Sequence, residues 1–139
     1  MTRLLPALTL ALAAACTPAL ATAIGGEWTL VGIDGGRAPA GTAIDFATDG
    51  TVSGKAPCNR YLGTYSGELP EIALSPFGAT KMACEALDAE AAYFAALQAV
   101  TNAEVVEEHL FLIGPEGRVL EFARDPAAIG AAARERAVD

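Results

Sequence analysis

Histidine and tryptophan occur once each in this chain of 139 residues, and cysteine three times. With His109 as the sole imidazole, on a strand-like stretch among acidic residues, spacing marks neither a Cys/His zinc set nor a cysteine nucleophile with its base. We therefore expect no metal and no cofactor. Cations are also scarce: nine Lys and Arg face 17 Asp and Glu, a formal net charge of -8. Such a chain repels phosphate backbones, so nucleic acid is not an expected partner. The length allows one compact domain and no second core. A hydrophobic content of 53% with 19% charged residues is globular, although alanine in the terminal segments inflates the first figure.

The longest apolar run, Leu4 to Ala15, is too short for a bilayer core, which needs about 20 residues. Behind Arg3 and ahead of small residues, it reads as an export signal spanning residues 1–23. Two cleavage routes compete. Leu12-Ala13-Ala14-Ala15-Cys16 resembles a bacterial lipobox with Ala13 where leucine is usual, and would make Cys16 the lipidated first residue. Alternatively, Ala19-Leu20-Ala21 and Ala21-Thr22-Ala23 offer small-x-small sites for ordinary signal peptidase. The protein is expected in the periplasm or on the outer membrane of a Gram-negative envelope, touching membrane only through that anchor.

Past the signal, short strand-like runs dominate. Glu27 to Ile33 alternates apolar and polar, and the lone Trp28 reads as core. Asp34-Gly35-Gly36 turns the chain. Thr42–Phe46 and Thr51–Lys55 flank Asp49-Gly50, the strongest hairpin signal present. Tyr61–Ser66 and Glu71–Leu74 follow, with Gly67 and Pro70 between them. A helix is expected from about Leu87 to Val100, capped near Asp88, with Leu87, Ala91, Phe94, Leu97 and Val100 or Thr101 on its buried stripe. Ala103–Glu107, His109–Ile113 and Val119–Phe122 complete the strands, with Leu110, Leu112, Leu120 and Phe122 facing inward. The fold class is mainly β (α+β): a small antiparallel barrel-like domain over residues 24–124 with one helix on its sheet. An Ala-rich flexible tail occupies 125–139.

Both cleavage routes remove Cys16 from the thiol pool, leaving Cys58 and Cys84. An even pair in a small exported domain is most simply a disulfide. A half-complete metal site and a reactive thiol are the alternatives, and neither has partner residues marked nearby.

Trp28-x-Leu30, Ile44-x-Phe46-x-x-Asp49-Gly50, Cys58-Asn59-Arg60-Tyr61-x-Gly63-x-Tyr65 and Thr80-x-Met82-Ala83-Cys84 stand in this order, followed by Leu110-x-Leu112 and Leu120-x-Phe122. Together they resemble the META domain of HslJ-like bacterial envelope proteins, over roughly Glu27 to Arg124. The resemblance implies a small β-rich fold with one helix and a link to envelope stress, heat shock and drug tolerance. It implies no catalytic residues, since none define the family. One departure is Pro57, where relatives usually carry glycine.

Two classes of function follow as expectations. The first is a non-enzymatic, monomeric envelope domain that binds an unidentified protein or small molecule. Its contact surface would use Asn59, Arg60, Tyr61 and Lys81, residues that would otherwise serve turns, packing and solvation. A special case is an inhibitor of a periplasmic or cell-wall hydrolase. The second class is a hydrolase, but Glu85, Asp88, Glu90, Glu107 and Glu108 read as helix-start and solvated charges without a nucleophile.

Overall fold

Trp28 is fully buried on β1 (Gly26–Ile33), where its indole N–H donates to the Ile24 carbonyl at 2.7 Å. Inward-facing Trp28 and Leu30 alternate with outward Glu27, Thr29 and Val31, as a half-buried strand requires. The structure is a computed structural model that describes residues 23–75 and 77–125. The export segment as far as Thr22, with Cys16 in it, and the tail from Pro126 lie outside the described residues.

Further strands are β2 (Gly36–Arg37), β3 (Ala43–Phe46), β4 (Thr51–Lys55), β5 (Arg60–Ser66), β6 (Ala73–Leu74) and β7 (Gly78–Ala79). The helix α1 (Leu87–Gln98) precedes β8 (Asn102–Val106), β9 (His109–Ile113) and β10 (Val119–Ala123). They form a ten-stranded antiparallel sheet in the order β6-β5-β4-β3-β1-β10-β9-β8, with β2 on β1 and β7 on β5. The sheet curls like a barrel without a closing ladder. At the seam an isolated bridge joins Glu71 to Asn102, Ala103 N–H donates to the Pro70 carbonyl at 2.7 Å, and Ile72 N–H donates to the Thr101 carbonyl at 3.1 Å.

The Asp-Gly hairpin forms between β3 and β4. Asp49 Oδ1 accepts from Thr51 N–H, and Gly50 takes φ 89°, a value glycine reaches without a Cβ penalty. The strands β2 and β7 were not expected from the sequence. Each has only two residues, too few to show a period.

Inside the curl, Trp28, Ile44, Phe46, Val52, Leu110, Leu112 and Phe122 meet Tyr93 and Leu97 of α1. Each such side chain contributes about 1.5–3 kcal/mol when fully buried. Leu110, Leu112, Leu120 and Phe122 face inward as expected.

The helix differs from expectation in its facing. Leu87 and Ala91 are exposed and Phe94 is half-buried, whereas Glu90, Tyr93, Leu97 and then Val100 point inward. That stripe is rotated because two polar anchors outrank leucine and alanine burial: the Tyr93 phenol and the Glu90 carboxylate both find partners in the sheet. Asp88 caps nothing. The residue at the helix start is Ala86, which has no side-chain cap.

Candidate functional site

Glu90 lies one turn into α1, only 5% exposed, and its carboxylate reaches back to the loop before β5. Oε2 accepts from the backbone N–H groups of Cys58 and Asn59, each at 2.7 Å, and Oε1 accepts from Asn59 Nδ2 at 2.7 Å. The sequence placed this residue among solvated charges. The correction has a clear cause, because three donors in one turn need an acceptor once the helix covers them.

Asn59 completes the arrangement. Its Oδ1 accepts from Thr80 Oγ1 at 2.9 Å and from Met82 N–H at 2.7 Å, while Nδ2 also donates to the Met82 carbonyl at 3.2 Å. Both lone pairs and both amide hydrogens are thus occupied. Asn59 is 3% exposed and therefore no part of a contact surface. It bolts the Cys-Asn-Arg-Tyr block to the Thr-x-Met-Ala-Cys block, and Glu90 bolts both to the helix. The Cys58–Cys84 disulfide closes the same junction, with Cα atoms 6.0 Å apart across 26 residues of sequence.

Tyr61 is the second correction to the expected surface. Its ring is buried, edge-on to Phe77, Tyr93 and Phe94. The hydroxyl donates to the Ala43 carbonyl at 2.9 Å and meets the Tyr93 hydroxyl at 2.8 Å. Burial pushes both phenols well above their ordinary pKa. Gly54, directly opposite on β4, makes room for this ring: a Cβ there would stand 2.7 Å from the Tyr61 hydroxyl oxygen and overlap the Ala43 carbonyl. Tyr61 points inward because strand alternation puts it on the face opposite Arg60 and Leu62.

Arg60 and Lys81 are exposed, as expected of contact residues. They lie at the disulfide end, where Thr80 N–H donates to the Arg60 carbonyl at 3.1 Å. Pro57, lacking an N–H, leaves the turn to Ala56, whose N–H donates to the Asn59 carbonyl at 2.7 Å. His109 pairs with Glu121 at 3.0 Å and stacks on Phe111. Among the described residues, no group of three or more His, Cys, Asp and Glu could hold a metal ion. The residues that sequence reasoning missed are Glu90, Thr80 and Tyr93. The signal for the first was a carboxylate seven residues before Leu97, on the helical stripe of a core residue.

Burial raises the Glu90 pKa, but the side-chain and backbone hydrogen bonds from Asn59 and the backbone bond from Cys58 outweigh it, holding the carboxyl below its ordinary value of 4.5. A folded-state pKa below the unfolded one stabilises the fold above the unfolded value, and the contribution fades as pH falls through the folded value. Urea midpoints measured downward from pH 6 should therefore drop below about pH 4.5, and the drop should be shallower in Glu90→Gln. Equal slopes in the two proteins would refute the assignment.

Residues 19–127 match the META domain family model. No curated protein matches the chain. Among solved structures, an NMR structure of a protein from Burkholderia xenovorans is similar at a TM-score of 0.63 and 24% identity, covering 88% of this chain and 99% of that one. A crystal structure of a duf4847 family protein from Bacteroides vulgatus follows at a TM-score of 0.61 and 15% identity, covering 75% and 95%. These likenesses bear on the fold, which is the same antiparallel sheet with a helix. The family match spans most of the chain and brackets the disulfide, the Asn59 clamp and Glu90: the chain belongs to the META domain family.

Proposed function

We propose that the protein is a non-enzymatic, exported envelope domain that acts as a monomer by binding a protein or small ligand during envelope stress or drug challenge. One observation carries this reading. The backbone of Met82 is fixed on both sides by the buried Asn59, yet its side chain is 68% exposed. Residues 78–85 are all exposed, and they run between their pairing with β5 and the disulfide at Cys84. A rigid exposed segment bearing methionine beside Arg60, Lys81 and the exposed Leu62 suits partner contact, since little conformational entropy is lost on binding.

The same rigid segment supports the narrower reading of an inhibitor that presents a fixed loop to a periplasmic or cell-wall hydrolase. Lipidation at Cys16 would hold the domain at the outer membrane, whereas cleavage after Ala21 or Ala23 would release it to the periplasm. Catalysis is not part of the proposal, because Asn59 and Glu90, the polar groups gathered at this end, are consumed in folding.

The test is capture of envelope proteins by the native domain, by Met82→Ala and by the pair Arg60→Ala with Lys81→Ala, alongside survival under envelope stress. All three substitutions lie on exposed side chains, so unfolding free energies should stay within about 0.5 kcal/mol of native. Captured partners and survival should both fall. Unchanged capture and survival by folded variants would remove the rim from consideration.

A further inference from the structure

β1, β3, β4 and β5 border a groove of about 450 Å³, and strand alternation sets Glu27, Asp45, Ser53, Lys55 and Arg60 on the outer face of the sheet. The groove's charged residues are Glu27, Asp45, Lys55 and Arg60, with Ser53 among them. Strand register sorts the charges into two pairs. Lys55 is directly opposite Arg60 across β4 and β5, and Glu27 is directly opposite Asp45 across β1 and β3. Directly opposed residues on one face have Cβ atoms about 4.5–5.5 Å apart, where like charges destabilise a sheet.

Neither pair is neutralised. The ion pairs among the described residues are His109–Glu121 and Arg118–Asp34, and no hydrogen bond engages the side chains of Glu27, Asp45, Lys55 or Arg60. Ala43 stands opposite Lys55 and two residues before Asp45, so the acidic pair lies further along the strands as well as further across them. By standard sheet spacings the midpoints of the two pairs are roughly 12 Å apart, two residues along and two strands across. In a chain of net charge -8, a basic pair left open at one end of a groove and an acidic pair left open at the other form a dipolar cradle.

We propose that this groove binds a short linear zwitterion, with its carboxylate between Lys55 and Arg60 and its ammonium between Glu27 and Asp45. A tripeptide fits the span, since three extended residues reach roughly 10 Å and the protein side chains close the remainder. Ser53 lies on the same outer face, opposite Asp45 and next to the path between the pairs, where its hydroxyl can bond to a peptide group. Binding relieves both like-charge repulsions at once, which a simple anion or a simple amine cannot do.

The inference rests on reading the protein as a binding domain, and its test separates the two. The oxidised protein is titrated with triglycine, N-acetyl-triglycine and triglycine amide while backbone amide shifts are followed by NMR. Triglycine should give saturable shifts on β3, β4 and β5 at millimolar concentration, and each capped probe should bind more weakly. Lys55→Gln with Arg60→Gln should weaken triglycine by about fivefold, the size expected of exposed ion pairs. Glu27→Gln with Asp45→Asn should reduce triglycine to the affinity of its N-acetylated form. Added salt should weaken binding to the unmodified protein, which gives a check that needs no variant. Absent shifts, salt-independent binding, or equal affinity for triglycine and N-acetyl-triglycine would overturn the proposal. Failure here leaves the Met82 rim intact, whereas unchanged capture by Met82→Ala with retained triglycine binding tells only against the rim.

Discussion

Glu90→Ala should lower the unfolding free energy by about 3–5 kcal/mol, the lower part of the roughly 3–9 kcal/mol that three buried donors left unsatisfied would cost. The substitution strips the acceptor from Cys58 N–H, Asn59 N–H and Asn59 Nδ2 together. Each buried donor left unsatisfied costs about 1–3 kcal/mol, and water entering the space left by the side chain brings the sum back toward that range. Glu90→Gln should cost less but not little, because one of its two positions becomes an NH2 group facing another donor. Glu85→Ala, on an exposed carboxylate five residues earlier, should stay within about 0.5 kcal/mol of native. Urea unfolding of the three variants separates these values. A Glu90→Ala midpoint indistinguishable from that of Glu85→Ala would mean that the clamp contributes nothing.

The buried carboxylate also marks where sequence reasoning stopped. Strands were legible wherever alternation ran for four residues or more: Thr51–Lys55 and His109–Ile113 have the expected bounds, and Asp49-Gly50 makes its hairpin. The cysteine pairing was legible from the expected compartment and from the parity that the expected loss of Cys16 leaves, two arguments that do not depend on geometry. The facing of α1 was not legible, since ranking by hydrophobicity favours Leu87 over Glu90. Only the three-dimensional position of the Cys58 and Asn59 amides reverses that order. Asn59 and Tyr61 were misplaced for a related reason. Successive residues of an extended chain point to opposite faces, so Asn59, Arg60 and Tyr61 could not all present the one surface expected of them with Lys81. The charge pairs along the groove were invisible for a third reason: Lys55–Arg60 and Glu27–Asp45 meet through cross-strand register, which is fixed by pairings across the whole sheet.

The two most specific sequence blocks therefore have a structural meaning before any functional one. Asn59 and the Thr80–Met82 segment exchange hydrogen bonds that position the disulfide, and the disulfide holds those bonds in register. What remains for function is what this junction leaves outside: the side chains of Arg60, Lys81 and Met82, and the outer face of β3 to β5. Residues that build the junction should tolerate little change whatever the ligand, while those around it can vary with the partner.

Removing the cross-link by Cys58→Ala with Cys84→Ala should cost about 3–4 kcal/mol, the chain-entropy value for a closed loop of this size. The stronger expectation concerns its coupling to Glu90. Once the staple is gone, the segment from Thr80 to Met82 and the Asn59 turn are held together by hydrogen bonds alone, so the Glu90 bonds form in a looser site. Glu90→Ala should then cost less in the cysteine-free protein than in the oxidised one. Adding the two single effects should overestimate the combined loss by about 0.5–3 kcal/mol, the range seen for residues that share one network. Urea unfolding of the native protein, both single changes and the combination completes the cycle, and reduction of the native disulfide gives an independent value for one edge. Strict additivity would show that the staple and the buried carboxylate stabilise separate parts of the fold. The junction would then be two neighbouring devices, and Met82 would owe its fixed backbone to Asn59 alone.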